Sequence, residues 1–365
     1  MAIATRWSAR TADAVIRRRP VLDERWDYKW GVVAKGMLEL WQVSGEPRYR
    51  DYVRRSVDAF VGRSGAIATY DREQYSLDLI NPGKVLFALL RETGDPRYRE
   101  ALDVLRGQLR AQPRTTSGSF WHKKIYADQM WLDGLYMASP FLAEYGATFG
   151  EPAVFDDVVR QFTLAYEHTV DTKTGPLYHA VDESRTQPWA DATTGRSRSI
   201  WARALGWYVM ALVDVLDILT DDAQRRTLID LLGRTMRAVV SVQDASGLWW
   251  QVLDKGGTPG NFLEESASAM FVYALAKGVR QGHLPAAHRR LADRGYEAIV
   301  ERFVHASADG NVDVGGCCVG TGLGGTPDRD GSFEYYAKRP VATNDHHGVG
   351  AFLLAAVEVE RAAVT

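Results

Sequence analysis

The residues around Asp133 combine a carboxylate with the pattern of an apolar helix. Met130 and Met137 lie on either side of Asp133 and share a helical face with Phe141, and Asp128 stands where a helix cap is expected. A carboxylate among Met, Tyr and Trp side chains loses hydration, which raises its pKa and suits it to donating a proton near neutral pH. The residues alone leave a second interpretation equally open, in which Asp133 caps a loop or pairs with an arginine.

Other polar side chains stand at predicted junctions between loops and helices. Asp78 precedes an apolar stretch and is most simply an N-cap. His122 and Lys123 come just before the Asp133 helix, where they either bind an anionic substrate or lie as solvated charges. His179 follows a Gly-Pro-Leu-Tyr turn, and a single loop histidine is more often structural than catalytic.

The segment WARALGW at 201–207 groups an arginine with two tryptophans. Arg203 and Trp207 are one helical turn apart and share a face, and Gly206 permits close approach of a neighbour or a ligand. A guanidinium can grip a sugar carboxylate with two parallel hydrogen bonds, while the rings of Trp201 and Trp207 stack on the sugar. The alternative is an Arg–Asp pair that helps to close the fold.

The composition is that of a soluble globular protein. The chain has 365 residues and a net charge of -2 without a long basic run, so no nucleic-acid partner is expected. The 11 Trp and 16 Tyr indicate carbohydrate stacking or a large helical core. The sequence shows no recognisable signal peptide or membrane span. We therefore expect a cytoplasmic protein that does not bind a membrane. We also expect a monomer or a homodimer, between which the sequence does not decide.

Cofactor and metal signatures are missing from the sequence. It contains no phosphate-cradling glycine loop, no nucleophile elbow and no metal-ligand spacing, so neither a cofactor nor a metal is expected. The adjacent Cys317 and Cys318 fit a reducing compartment, with a strained vicinal disulfide as the minority interpretation. Asp345-His-His347 is not a convincing metal pair, because adjacent residues on a helix point apart.

A repeated junction indicates which elements position these residues. The Gly-acid-Pro motif at Gly45 returns at Gly94 and, more loosely, at Gly150, a period of about fifty residues that is typical of stacked helical hairpins. In each junction, glycine ends one helix, the acidic residue caps the next and proline occupies its first turn. The buried helices are predicted at 27–43, 78–93, 128–145, 199–219, 265–280 and 346–361. The peripheral helices are predicted at 8–18, 48–62, 97–111, 152–169, 222–242 and 287–304.

Six helical hairpins predict an all-α fold, an (α/α)6 barrel made by residues 1–365 as a single domain, with an open solenoid as the competing architecture. The inner helices of such a barrel run in one direction. The long loops that enter them therefore gather at one mouth, and we expect the functional site there.

Six stretches carry a resemblance to a known family. They are WDYKWG at 26–31, DQMWLDGLYMASPFL at 128–142, WARALGW at 201–207, GLWWQVLD at 247–254, LEESASAM at 263–270 and NDHHGVGAFLL at 344–354. In this order and over nearly the full length, they resemble the unsaturated rhamnogalacturonyl hydrolases of glycoside hydrolase family 105, relatives of the unsaturated glucuronyl hydrolases. The resemblance implies an (α/α)6 barrel that releases a 4,5-unsaturated uronic acid from the non-reducing end of oligosaccharides left by polysaccharide lyases.

The resemblance also implies roles for individual residues. Asp133 matches the family's acid/base, and Asp78 matches its second active-site aspartate. The implied substrate contacts are Tyr28, His122, Lys123, Trp131, His179, Trp201, Arg203 and Trp207. The loop 319–323 is implied to reach the sugar, while Trp30 and the Cys317-Cys318 pair are variable features that leave fine specificity open.

The implied chemistry needs one acid/base, whereas ordinary glycosidases need two flanking carboxylates. Asp133 protonates C4 of the double bond, water adds at C5, and the resulting hemiketal opens and expels the neighbouring sugar. The alternatives are an unsaturated glucuronyl hydrolase acting on other uronate glycans, another enzyme of this fold such as an epimerase, an inverting glycosidase or a uronate lyase, and a non-catalytic toroid that binds a partner protein.

Overall fold

A computed structural model describes residues 6–308, 310–325 and 329–361. Long helices alternate along the chain between an inner and an outer position. The inner helices are α2 (Tyr28–Ser44), α4 (Lys84–Thr93), α6 (Asp133–Phe149), α8 (Ala202–Leu216), α10 (Glu265–Arg280) and α13 (His346–Arg361). The outer helices are α1 (Trp7–Arg18), α3 (Pro47–Asp58), α5 (Pro96–Arg110), α7 (Ala153–Thr169), α9 (Asp222–Ser241) and α11 (His288–Phe303).

The inner helices form a closed ring. Each inner helix packs against the next, and α13 packs against both α10 and α2, which joins the two ends of the chain. Each outer helix covers an inner one, with α1 on α13 and the others on the helix before or after them in the chain. The architecture is therefore the predicted (α/α)6 barrel, and ring closure excludes the solenoid.

Burial separates the two layers. Every residue of α8 is buried, and α10 is buried from Glu265 to Gly278, because these helices have neighbours on both sides and an outer helix behind them. Gly206 brings two inner helices together, since a β-carbon at this position would lie 2.7 Å from the sulfur of Met270 on α10. None of the described helices is both long enough and apolar enough to cross a bilayer.

The repeated junctions are formed largely as predicted. All three junction glycines end their helices in the left-handed region, at φ of 72°, 66° and 72°. Asp95 caps α5 by accepting a hydrogen bond from the backbone N–H of Arg97 at 3.1 Å. The capping prediction is wrong for Glu46 and Glu151. Their longer side chains pair with arginines instead, as Glu151 does with Arg106 at 2.9 Å.

Three inner helices begin at least three residues later than predicted. Residues 129–131 form strand β1 (Gln129–Trp131), which pairs antiparallel with β2 (Ala180–Asp182), so α6 begins at Asp133. Asp128 has a φ of 58°, lies before the strand and cannot cap the helix. In the same way, α4 begins at Lys84, because the preceding chain forms two short 3-10 turns, at Leu77–Leu79 and Asn81–Gly83. The predicted helix 199–219 is shortened at both ends, to the bounds of α8.

Short elements after α11 complete the mouth of the barrel. Strands β3 (Val304–Ala306) and β4 (Val312–Val314) pair with each other, as do β5 (Cys317–Cys318) and β6 (Val341–Ala342). A short helix, α12 (Phe333–Ala337), lies between β5 and β6 in the chain. These elements bring residues from the last quarter of the chain to the N-terminal ends of the inner helices.

Candidate active site

A cavity of about 250 Å³ lies where the inner helices begin. Its polar wall includes Tyr28 at the start of α2, Asp78 in the turn before α4 and Asp133 at the start of α6. Six of the ten predicted site residues line it, namely Tyr28, Asp78, His122, Lys123, Trp131 and Asp133. The remaining lining residues are Asp27, Lys29, Tyr126, Met137, Gly320, Thr321, Gly322 and Arg329.

Asp133 faces a buried histidine. Its Oδ2 lies 3.1 Å from Nε2 of His179, an ion-pair distance, although the angle is too oblique for a regular hydrogen bond. Burial raises the pKa of Asp133, but His179 and His122 lower it by a larger amount, so the pKa lies below its usual value. The predicted rise is therefore wrong, because the sequence pattern showed the apolar neighbours of Asp133 and not the imidazoles that fold against it.

His179 is held by an aromatic group behind the cavity. Its Nδ1 lies 2.7 Å from the hydroxyl of Tyr336 on α12, and its ring lies 4.7 Å from that of Trp201. Trp201 stacks on Tyr336 with centroids 5.8 Å apart. These contacts fix the imidazole toward Asp133, so His179 and Trp201 support the cavity from behind its wall.

Asp78 belongs to a compact charged group. Its Oδ2 lies 2.6 Å from Nζ of Lys123, and its Oδ1 lies 3.4 Å from Nε2 of His122. Burial raises the pKa of Asp78, but Lys123 and His122 lower it below its usual value. Burial lowers the pKa of His122 to about 4. Asp78 is therefore ionised near neutral pH, and it is not the N-cap of α4.

Trp131 carries a group of nearly parallel rings. The His122 ring lies 4.8 Å from it at 6°, and the Tyr126 ring lies 4.6 Å from it at 18°. Its Nε1 donates to Oε1 of Gln129 at 3.1 Å. Strand β1 thus places an aromatic wall beside Asp133, suited to the apolar face of a sugar.

The predicted carboxylate ligand Arg203 has other partners. Only 1% exposed, it donates from Nη1 to the carbonyl of Cys318 at 2.6 Å and from Nη2 to that of Val319 at 2.9 Å. Its acidic neighbour is Glu264, at 3.6 Å. Arg203 thus fixes β5 and the loop after it, and a direct contact with substrate stays a prediction. Trp207 is also buried, stacked on another inner-helix side chain, Tyr136, at 4.9 Å.

Comparison with known proteins identifies the family. A sequence profile described as Glycosyl Hydrolase Family 88 matches residues 3–363. The chain belongs to this hydrolase family. A solved family 105 glycoside hydrolase from C. acetobutylicum is 42% identical, with a TM-score of 0.95 over 98% of this chain and 99% of that one. The resemblance found in the sequence is therefore confirmed.

Two curated relatives of this family 88 hydrolase are also similar. Protein Atu3128 of Agrobacterium fabrum is 41% identical over 229 residues, which cover 61% of this chain and 97% of that protein. The unsaturated rhamnogalacturonyl hydrolase YesR of Bacillus subtilis is 28% identical over 270 residues, which cover 72% of this chain and 74% of that protein.

The cavity of this family 88 hydrolase is also lined by residues that the sequence did not predict. Arg329 lines the cavity and donates from Nη2 to the hydroxyl of Tyr126 at 3.2 Å and from Nε to the carbonyl of Gly324 at 2.6 Å. Lys29 lines the same cavity one residue after Tyr28. An arginine after a glycine-rich loop was the available signal for Arg329, but its direction depends on how that loop folds.

Another group of side chains has the composition of a metal site. Among the described residues, Cys317, Asp345 and His347 bring their ligand atoms within 4.8 Å of one another. Both ring nitrogens of His347 are already hydrogen-bonded, to Tyr28 and to Asp345. The group is therefore explained as a hydrogen-bond network. Cys317 and Cys318 are buried free thiols, and burial raises the pKa of both.

Proposed function

We propose that this family 88 hydrolase releases a 4,5-unsaturated uronic acid from the non-reducing end of lyase-generated oligosaccharides of the rhamnogalacturonan type. The observation that carries the proposal is one small cavity shared by Asp133, Asp78 and several cationic side chains. The name of the YesR relative, an unsaturated rhamnogalacturonyl hydrolase, supports the substrate class. Cytoplasmic location, a single-domain chain and a monomeric or dimeric state stay predictions.

The charges of the cavity suit a uronate. Lys29, Lys123 and Arg329 line it and can neutralise a sugar carboxylate, with the guanidinium offering paired donors. Trp131 and Tyr126 form an aromatic wall beside these cations. An anionic, flat sugar ring is the ligand that satisfies both features, since its carboxylate meets the cations while its face meets the rings.

Asp133 is the proposed acid/base. In the protein alone its pKa is low, but a bound uronate adds a negative charge nearby and raises that pKa. The protonated carboxyl then gives its proton to C4 of the double bond, which leaves positive charge at C5 and the ring oxygen. Water adds at C5 and returns a proton to Asp133. The resulting hemiketal opens and releases the next sugar, while the ionised Asp78 orients hydroxyls or water.

The test follows the ultraviolet absorbance of unsaturated disaccharides prepared from rhamnogalacturonan and from glucuronate glycans. We expect the wild type to remove the conjugated double bond, with the rhamnogalacturonan product faster. Asp133→Asn should keep the fold and lose about three or more orders of magnitude in kcat, since the acid/base is absent. Asp230→Asn on the outer surface is the matched control. Near-normal turnover by Asp133→Asn would sink the assignment, and absence of turnover by the folded wild type would reject the function.

A further inference from the structure

A hydrogen-bonded chain runs from the cavity into the protein through Tyr28, His347 and Asp345. The hydroxyl of Tyr28 lies 2.6 Å from Nε2 of His347, and Nδ1 of His347 lies 2.5 Å from Oδ1 of Asp345. Tyr28 lines the cavity, whereas His347 is 1% exposed. Asp345 also accepts the backbone N–H of His347 at 2.9 Å, which fixes its carboxylate at the start of α13.

The ionisation of the inner groups decides where the protons lie. Burial raises the pKa of Asp345, but the hydrogen bonds that it accepts from His347 hold it well below its usual range, so the carboxylate only accepts. Burial lowers the pKa of His347 to about 4, so its ring is neutral near neutral pH. Nδ1 therefore carries the proton that is donated to Asp345, and Nε2 is a bare acceptor.

Tyr28 must then donate its only proton inward. Burial raises the pKa of the Tyr28 phenol well above its usual value, so the hydroxyl stays protonated. With that proton directed at Nε2 of His347, the oxygen of Tyr28 presents only lone pairs to the cavity. A group bound there can donate to Tyr28 but cannot accept a hydrogen bond from it.

We propose that His347 and Asp345 are positioning residues that make Tyr28 a dedicated hydrogen-bond acceptor for an O–H donor in the cavity. The identity of this O–H donor rests on the proposed function: it is a hydroxyl of the terminal sugar or the water that adds to C5. Among the described residues, the titratable groups around His347 are Tyr28 and Lys29 of α2, Arg203 of α8, Cys317 of β5 and Asp345, and the carboxylate of Glu265 on α10 lies beside the adjacent Gly348.

The first experiment determines where the proton lies on the His347 ring and does not depend on substrate turnover. In two-bond ¹H–¹⁵N spectra of uniformly labelled protein, the signals of His347 among the 8 histidines are assigned by their loss in His347→Gln. We expect the neutral Nδ1–H form from neutral pH down to about pH 4. Asp345→Ala removes the acceptor and should admit the Nε2–H form, while Asp345→Asn keeps an acceptor and the original form. A wild-type Nε2–H form, or a ring protonated near neutral pH, overturns the proposal.

The second experiment uses a double-mutant cycle to test whether the hydrogen bond between Tyr28 and His347 contributes to catalysis. His347→Leu removes the acceptor and should lower kcat/KM about tenfold, the scale of one hydrogen bond in the transition state, whereas His347→Gln offers a carbonyl and should retain most of the rate. In a Tyr28→Phe background neither change should have a further effect. An equal loss in that background overturns the proposal.

The kinetic parameters also separate the two donors. A fall in kcat with an unchanged KM identifies the attacking water as the donor. A fall in kcat together with a rise in KM identifies a sugar hydroxyl. If the folded wild type turns over no unsaturated disaccharide, the proposed function fails, while the histidine spectra still decide the direction of the Tyr28 proton.

Discussion

Nε2 of His179 lies 3.1 Å from Oδ2 of Asp133, and Nδ1 of the same ring lies 2.7 Å from the hydroxyl of Tyr336. One buried imidazole therefore connects the proposed acid/base to a tyrosine of α12. Because an ionised carboxylate has no proton to give, this arrangement favours a proton on Nε2 that faces Asp133. The proposed acid thus rests in its ionised form, and substrate must change that state.

The first prediction concerns the pH dependence of turnover. The pKa of Asp133 is lowered in the free protein, and kcat/KM reports the free protein, so kcat/KM should fall about tenfold per pH unit as pH rises above that low pKa. A bound uronate raises the pKa, so kcat should stay level to a higher pH before it falls. Steady-state rates across acid and neutral pH measure both limbs. If kcat and kcat/KM began to fall at the same pH, bound substrate would not raise the pKa of Asp133.

Replacement of His179 should shift the pH at which kcat/KM begins to fall. His179→Gln keeps a polar side chain but removes the imidazole that lowers the pKa of Asp133. With that pKa higher, the decline of kcat/KM should begin at a higher pH than in the wild type. Tyr336→Phe is the matched variant, because it keeps the imidazole and loses only its outer partner. An unchanged pH profile in His179→Gln would show that the imidazole does not control Asp133.

Lys123 should be important for binding the substrate carboxylate. Lys123→Met removes a cation from the cavity wall and from the Asp78 pair, and charged hydrogen bonds of this kind are worth roughly 1.5–3 kcal/mol, or about ten- to hundredfold in KM. The neighbouring Lys124 is exposed and outside the cavity, so Lys124→Met is the control. Michaelis constants on the unsaturated disaccharide measure the difference. Equal KM values for the two variants would contradict the role of Lys123.

A buried ion pair near the opposite end of the barrel gives a stability prediction. Nζ of Lys277 lies 2.6 Å from Oδ1 of Asp214, with side chains 5% and 8% exposed. Asp214→Asn should cost roughly 1.5–3 kcal/mol in the free energy of unfolding, because Lys277 loses its buried carboxylate partner and keeps only the half-exposed Asp217, 2.7 Å from its Nζ. The double change Asp214→Leu with Lys277→Met should cost less. Urea unfolding measures both, and an equal loss in the two variants would contradict the argument.

The same pair sets a pH dependence of stability. Burial raises the pKa of Asp214, but the lysines around it, Lys277 above all, lower it below its usual value of 3.8. A carboxylate whose pKa is lower in the folded protein than in the unfolded chain stabilises the folded protein at pH values above the unfolded-chain pKa. That contribution is lost as the pH falls through the pKa of the folded protein. The stability difference between wild type and Asp214→Asn should therefore shrink below about pH 4. A constant difference down to the acid unfolding range would count against this account.

Much of the fold was predictable because its signals are local. Gly45 and Gly94 end helices through their own backbone freedom, and Asp95 caps the helix that follows within two residues. The apolar character of the inner helices appears in any short window of sequence. The error in the start of α6 occurs where distant chain intervenes, because the pairing of β1 with β2 replaced the predicted first turn of that helix.

The sequence by itself determined the (α/α)6 barrel, the family to which the chain belongs and the mouth at which the candidate aspartates gather. Only the tertiary structure decided the ionisation of Asp133, the carbonyl partners of Arg203 and the direction of the Tyr28 proton. The reason is physical: a pKa or a proton's direction depends on groups within a few ångströms, and His347 is 319 residues from Tyr28 along the chain. Helix patterns come from neighbours in sequence, whereas the electrostatics of a site come from neighbours in space.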